Sequence, residues 1–392
     1  MQKKGRIEVV DSLRGFAVMA IMLLHCLERF NLYIFPSKDT LSSWMISSDQ
    51  AIWDTSFFLF GGKAYAIFAL LFGFTFYLQN TKSKRNHIDF GKTFLWRMLL
   101  LVGFAFFNAL FFPGDVLLLF SVMGAFLVLV RKSSPKTILW LSLFFLMQPI
   151  ELIQFIVSKF NPDFTTLQEF ASGIVRTHMG ALKSQVREAG VFTSIWNNFY
   201  HGQIFSFMWA VGNGRWIQTL GLFLLGIYLG ESQLFAQANQ RKKTWRRVLI
   251  ISIVSFIPLY YITDIADVDY SAIAARTIAN AITMWKNLAF TAVLVSLFVL
   301  LYQTPFQKVQ KQLHNYGRMS LTNYISQSVL GFILFFPALG NLSPIISNTY
   351  ALLLGVVLFV LQLTACNYWL KTHKQGPLEA LWHKGTWMFA RK

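Results

Sequence analysis

Residues 12–34 read SLRGFAVMAIMLLHCLERFNLYI, an apolar run broken by the ionisable side chains Arg14, His25, Glu28 and Arg29. A bilayer core of about 30 Å takes roughly 20 apolar residues of helix to cross, and a helix satisfies every backbone polar group within its own segment. The same pattern recurs at 56–79, 93–112, 115–131, 137–157, 214–231, 246–263, 281–303, 319–338 and 348–370. The expected fold is therefore all-α: a polytopic integral membrane protein of about ten transmembrane helices. Only Pro113 and Gly114 divide the third and fourth runs, which predicts a tight hairpin.

Composition agrees. Of 392 residues 55% are hydrophobic, 40 are Phe, and only 13% are charged, against about a quarter charged in a soluble globular chain. A soluble or disordered protein is excluded. The two cysteines, Cys26 and Cys366, both sit in apolar runs, so neither a disulfide scaffold nor a multi-cysteine metal site is available. Most of the 35 Lys and Arg residues fall in the segments that are cytoplasmic if the amino terminus is, which places both termini inside by the positive-inside rule. That asymmetry accounts for most of the net charge of +18. The basic flanks are expected to meet anionic lipid, with no nucleic-acid partner. The basic lead and apolar run at the amino end mimic a signal peptide, but His25, Glu28 and Arg29 stand where a small-residue cleavage site belongs, so the segment is read as a retained helix.

Three regions follow: a five-helix half over 1–157, an extracytoplasmic connection over 158–213, and a second five-helix half over 214–392. In the connection, Leu167, Phe170, Ile174, Met179, Leu182 and Val186 recur at helical spacing among Arg176, Lys183 and Arg187. This predicts an amphipathic helix on the outer interface, or a lid. Ser194 to Gly214 reads as interfacial or re-entrant. No internal repeat of the kind common in transporters is visible.

Ionisable groups inside a bilayer are costly and mark sites. Arg14 and His25 are eleven residues apart, three helical turns plus about 20°, so they share a face about 16 Å apart along the axis. Glu28 and Arg29 extend that face. Asp11, three before Arg14, is placed to cap the helix or hold the guanidinium. His25 is suited to proton exchange near neutral pH, with Glu28 one turn away to orient its ring. Toward the outer side lie Lys63, Asp115, Glu151, Arg215 and Lys286, with Asp54 just beyond; toward the cytoplasm lie Arg97 and Arg318. An outer set of both signs suits a polar acceptor, and an inner guanidinium set suits phosphates. Ser320, Thr322, Asn323, Ser326 and Gln327 on one helix are either interhelical glue or a cavity wall. No phosphate-binding glycine loop, His-Glu-x-x-His zinc site or Gly-x-Ser-x-Gly elbow is present, and no metal site is expected.

Several motifs resemble the YeiB-like family of bacterial membrane proteins, which carry domain of unknown function 418. They are Asp11-Ser-Leu-Arg14-Gly15, Gly62-Lys63, Leu70-Leu71-Phe72-Gly73, Arg97, Gly114-Asp115, Gly317-Arg318-Met-Ser320-Leu321-Thr322-Asn323-Tyr324-Ile-Ser-Gln327-Ser328, and Gly376-Pro377-Leu378-Glu379. That family in turn is similar to transmembrane acyltransferases: the acyltransferase type 3 proteins, which modify surface glycans, and the lysosomal heparan-glucosaminide acetyltransferase. Arg14 and His25 match the basic-residue and histidine spacing of the type 3 group, although many YeiB-like chains have Asn at the position of His25 and a His near Phe107 or Asn108.

The resemblance implies an acyl-CoA-dependent transferase of the bacterial inner or plasma membrane, moving an acyl group, most simply acetyl, to a hydroxyl or amine of an envelope glycan or glycolipid. His25 and Glu28 are the expected catalytic residues, His25 acting as base or as acyl carrier. Asp11, Arg14, Arg97, Arg318 and Asn323 are expected to bind acetyl-CoA, and Lys63, Asp115, Arg215 and Gln327 the acceptor. The expected partners are membrane lipids and that acceptor, with a homo-oligomer allowed. Two other classes stay open from the sequence: a proton- or ion-coupled transporter, and a lipid-binding protein without turnover.

Overall fold

A computed structural model describes residues 7–85, 89–161, 163–186, 190–265 and 272–388. The described residues form only helices and their connections. In order these are α1 (Glu8–Leu27), α2 (Ser43–Phe60), α3 (Lys63–Arg85), α4 (Phe90–Ala109), α5 (Leu117–Phe126), α6 (Pro135–Leu146), α7 (Pro149–Phe160), α8 (Leu167–Val186) and α9 (Val191–Asn197). A π-helical turn (Asn198–Gly202) leads into α10 (Gln203–Gly212), α11 (Arg215–Glu231), α12 (Lys242–Ile265), α13 (Ala272–Leu301), α14 (Gln307–Gln310), α15 (Leu313–Arg318), α16 (Ser320–Phe335), α17 (Asn348–Trp369) and α18 (Pro377–Trp387).

The protein is all-α and multi-pass. Among the described residues six spans are long and apolar enough to cross a membrane: α1, the α2–α3 rod, α4, α12, α13 and α17. The bent α6–α7 pair makes a seventh if counted as one span. Three of the ten expected spans coincide with shorter helices, α5, α11 and α16. Helix α5 gives way after Phe126 to i→i+3 turns that carry the chain to Ser133, a tighter winding along the same path. The run 137–157 breaks because Pro149 lacks an amide hydrogen and disfavours helical geometry in the residue before it. Gln148 accordingly adopts a left-handed conformation with φ 57°, and α6 and α7 diverge by 41°.

The centre is held by helices from both ends of the chain. Helix α1 packs against α3, α15, α16 and α17, while α3 packs along α11. Gly15 and Gly317 face each other where α1 crosses α15: a Cβ on Gly317 would stand 1.8 Å from the carbonyl oxygen of Asp11, and one on Gly15 2.2 Å from that of Leu313. Only glycine permits that approach, and it sets the neighbouring Arg14 and Arg318 side by side. Glu379 of α18 caps α16, accepting from the amides of Leu321 (2.7 Å) and Thr322 (3.1 Å) and from the Thr322 hydroxyl (2.6 Å). The two carboxyl-terminal motifs are thus one structural unit.

Two expectations need correction. The first helix stops at Leu27, not near residue 34: Arg29, Phe30, Asn31 and Tyr33 all have positive φ, between 50° and 66°. Each left-handed non-glycine residue costs roughly 1–2 kcal/mol. The turn persists because Arg29 is buried and donates to the carbonyls of Leu27 (2.7 Å) and Ile346 (2.9 Å) and to Asn348 Oδ1 (3.0 Å). Arg29 therefore points toward α17 rather than sharing the His25 face. Second, the amphipathic helix α8 exists and packs on α10 and the π-helical turn through Ala171 and Leu182, while Phe170 of the predicted stripe is exposed. Its neighbours are protein. The segment Ser194 to Gly214 becomes α9, the π turn and α10, which lines a cavity described below. Lys3, Lys4 and Arg6, Arg187, and the terminal Arg391 and Lys392 lie outside the described residues.

Candidate functional site

Two cavities lie within the bundle. The first, of about 270 Å³, lies toward the Glu8 end of α1 and is lined by Arg14, Thr75, Arg97, Arg318, Tyr324 and Trp382 among others. Three expected phosphate-binding arginines, from α1, α4 and α15, therefore meet in one space. Arg14 Nη1 donates to Asp11 Oδ1 at 2.9 Å, the expected pair, and Nη2 to Thr75 at 3.0 Å. Arg97 stacks 4.3 Å from the Trp382 ring centroid and donates to Thr386 at 3.0 Å. Arg318 Nη2 donates to the Lys374 carbonyl at 2.7 Å. Each guanidinium is braced by a neighbour, which fixes its direction at small entropic cost.

The second cavity, of about 440 Å³, lies toward the Leu27 end. His25, Glu28, Tyr33, Gly62, Tyr65, Asp115, Trp209, Arg215 and Tyr324 are among its lining residues. Tyr324 lines both cavities. Its ring lies 6.3 Å from that of His25, and its hydroxyl lies near the Asp115 carboxylate and the Val116 backbone. The His25 ring rests against Phe112 at 4.5 Å and Phe30 at 5.6 Å, and its Nδ1 is buried without a partner.

Glu28 does not orient that ring. Its Oε1 accepts from the Tyr33 hydroxyl at 3.0 Å, a pairing created by the left-handed turn, which carries Tyr33 back over Glu28. Asp115 is committed within its own hairpin: Oδ1 accepts from Asn108 at 2.8 Å, and Oδ2 from the Leu117 amide at 3.1 Å, capping α5. Ser206 of α10 donates to the Asp115 carbonyl at 2.6 Å and so fixes the cavity wall to the hairpin. Arg215 opens α11, with its guanidinium between the rings of Tyr65 (5.2 Å) and Trp209 (4.8 Å).

The remaining expected residues lie apart from both cavities. Lys63 is buried, donating to the Phe57 carbonyl near the rings of Phe58 and Phe290. Asn323 donates to the Tyr316 carbonyl at 3.0 Å and accepts from Cys366 Sγ at 3.3 Å. Gln327 donates to the Tyr316 hydroxyl at 2.9 Å. These two amides tie α16 to α15 and α17, the glue alternative for that polar stripe. Sequence reasoning missed Tyr324, which sits within the quoted motif between Asn323 and Ser328, along with Tyr33, Trp209 and Trp382. An aromatic residue in an aromatic-rich membrane helix carries no visible mark of the cavity it faces. Both cysteines are free and buried, and no cluster of three or more metal-ligating side chains occurs among the described residues.

Residues 229–389 match a family model described as "Protein of unknown function (DUF418)". The resemblance extends over nearly the whole chain in two Bacillus proteins. One, "Uncharacterized protein YxaH" of Bacillus subtilis (strain 168), is 23% identical over 98% of this chain and 94% of its own length. The other, "Uncharacterized 39.9 kDa protein in amylase 3'region" of Bacillus acidopullulyticus, is 28% identical over 97% of this chain and 94% of its own. No solved structure matches significantly. The matched segment supplies Arg318 and Tyr324, and the preceding part supplies Arg14, His25 and Arg97.

Proposed function

We propose that this protein is a transmembrane acyltransferase of the cell membrane that takes an acyl group, most simply acetyl, from cytoplasmic acyl-CoA and delivers it to an acceptor on the outer side. The observation that carries this reading is the shared wall: a three-arginine cavity and a histidine cavity meet at Tyr324. Acyl-CoA phosphates pair with Arg14, Arg97 and Arg318, with the nucleotide at the cytoplasmic mouth and the pantetheine arm directed along the small cavity toward Tyr324. His25 takes the proton of the acceptor hydroxyl or amine as that atom attacks the thioester carbonyl; the C–S bond breaks and the proton leaves on the CoA thiol. We assign Tyr324 as donor to the oxyanion that forms. Asp11 holds Arg14, while Asp115, Asn323 and Gln327 build the walls and the bundle.

Purified protein in proteoliposomes, given acetyl-CoA and an envelope glycolipid extract, should release CoA thiol. His25→Ala should lower that rate at least about 100-fold with unchanged thermal unfolding. Full activity in the variant overturns the assignment. Solute flux without CoA release would instead favour a carrier, the reading to which the single break at Gln148 lends itself.

A further inference from the structure

The guanidinium of Arg215 is a buried charge with no hydrogen bond or ion pair among the described residues. Its contacts are the faces of Tyr65 and Trp209, and its Nε is sealed from solvent. Tyr65 is itself fixed through the Thr219 hydroxyl, which also bonds the Arg215 carbonyl at 2.6 Å. The Tyr65 and Trp209 rings pack against the guanidinium, and Arg215 lines the 440 Å³ cavity. Gly62, at φ 74°, stands directly behind: a Cβ there would lie 3.4 Å from Arg215 Nη2 and 3.0 Å from the Asn287 amide.

Both signs of charge surround Arg215: the carboxylates Glu28 and Asp115 line the same cavity, and Glu28 acts on the guanidinium electrostatically. Lys63 and Lys286 are close enough to act electrostatically on one another, as are Lys63 and Arg215. Glu28 accepts from Tyr33 and Asp115 from Asn108, and neither carboxylate forms an ion pair with the guanidinium among the described residues. A desolvated cation that lacks a partner is expensive unless a ligand supplies one, and the free edge of a guanidinium matches two oxygens of an oxyanion.

We propose that the histidine cavity binds an oxyanion, a phosphate or carboxylate carried by the ligand, on the guanidinium of Arg215. This deepens the acyltransferase reading by making the acceptor an acidic molecule, and the binding itself does not require acyl transfer. The anion sits on Arg215 while the hydroxyl or amine to be modified faces His25.

The test uses full-length protein in phosphatidylcholine nanodiscs without acyl-CoA, monitored by thermal unfolding and by calorimetric titration. Glucose 6-phosphate is the soluble probe and glucose the neutral control; added phosphatidylglycerol tests a lipid source. The wild type should bind glucose 6-phosphate, or be stabilised by phosphatidylglycerol, at least tenfold more tightly than the neutral control, and whichever arm responds identifies the source. Arg215→Gln should lose that preference while unfolding no earlier than wild type without ligand, because an unpaired charge has been removed. Arg215→Lys, which keeps the charge but not the two-pronged edge, should retain part of it. His25→Ala should bind as wild type does, so loss of acyl transfer alone leaves this inference standing. Equal response to charged and neutral probes in the wild type would overturn it, as would undiminished anion preference in Arg215→Gln. Early unfolding of both Arg215 variants without ligand, marking a purely structural clamp between Tyr65 and Trp209, would also overturn it.

Discussion

Single residues account for the convergence of the arginines. Gly15 and Gly317 allow the α1 and α15 backbones to touch, and Arg14 precedes the one and Arg318 follows the other by one position. Gly317→Ala places a methyl 1.8 Å from a backbone oxygen, which cannot move aside as a flexible side-chain end would. The variant should lose about 1–3 kcal/mol of stability in denaturation measured in micelles, and the three-arginine cavity should lose its alignment with it. Glu379→Ala removes three bonds to the start of α16 and should cost about 1–2 kcal/mol by the same measurement; unchanged stability would show that the α18 clamp is dispensable. The arginines and His25 were legible in the sequence, because charge in an apolar run is conspicuous and helical spacing sets its face. The loss of Arg29 from that face was not legible. Residues 28–33, ERFNLY, contain neither Gly nor Pro, so nothing local announces a left-handed turn; the bonds that impose it come from Ile346 and Asn348, more than 300 positions away.

At the level of elements, short helices do the work of shaping the histidine cavity. Helix α10 forms one wall, and α8 is packed over it, joined through a contact of His178 Nδ1 with His201 Nδ1 at 2.9 Å. One ring nitrogen can donate to the other only while at least one of the rings is neutral. Burial, followed by the nearby His178, lowers the pKa of His201 below its ordinary 6.5. A histidine with a depressed folded-state pKa stabilises the fold above its unfolded value, and that contribution is lost as pH falls. Hydrogen exchange along α8 should therefore accelerate as pH drops below about 6.5, after correction for the intrinsic rate, and His201→Gln should flatten the dependence. Equal acceleration in both proteins would place the pH response elsewhere. The amphipathic pattern of α8 was readable from its apolar spacing. Its neighbour was not, because a helix resting on lipid and one resting on protein show the same stripe.

For the whole molecule, hydropathy gave the class and overstated the number of full-length spans, since a mean over 20 residues does not register the turns after Phe126 or the kink at Gln148. The Tyr324 wall was invisible for a related reason: helices α1, α4, α15 and α16 approach one another only in three dimensions. The proposed sidedness, with the Glu8 end of α1 cytoplasmic, predicts that a cysteine at Ser37 reacts with an impermeant maleimide in intact cells, whereas one at Lys371 reacts only after permeabilisation. Cys26 and Cys366 are buried and should stay silent as background; the reverse labelling pattern would invert the proposed direction of transfer. The central claim, that donor and acceptor spaces meet at Tyr324 beside His25, is tested most directly by an experimental density map of the protein with a non-hydrolysable acetyl-CoA analogue. The account predicts phosphate density on Arg14, Arg97 and Arg318, with the acyl end between Tyr324 and His25. Lipid-tail density in that small cavity, with the analogue unbound, would contradict it.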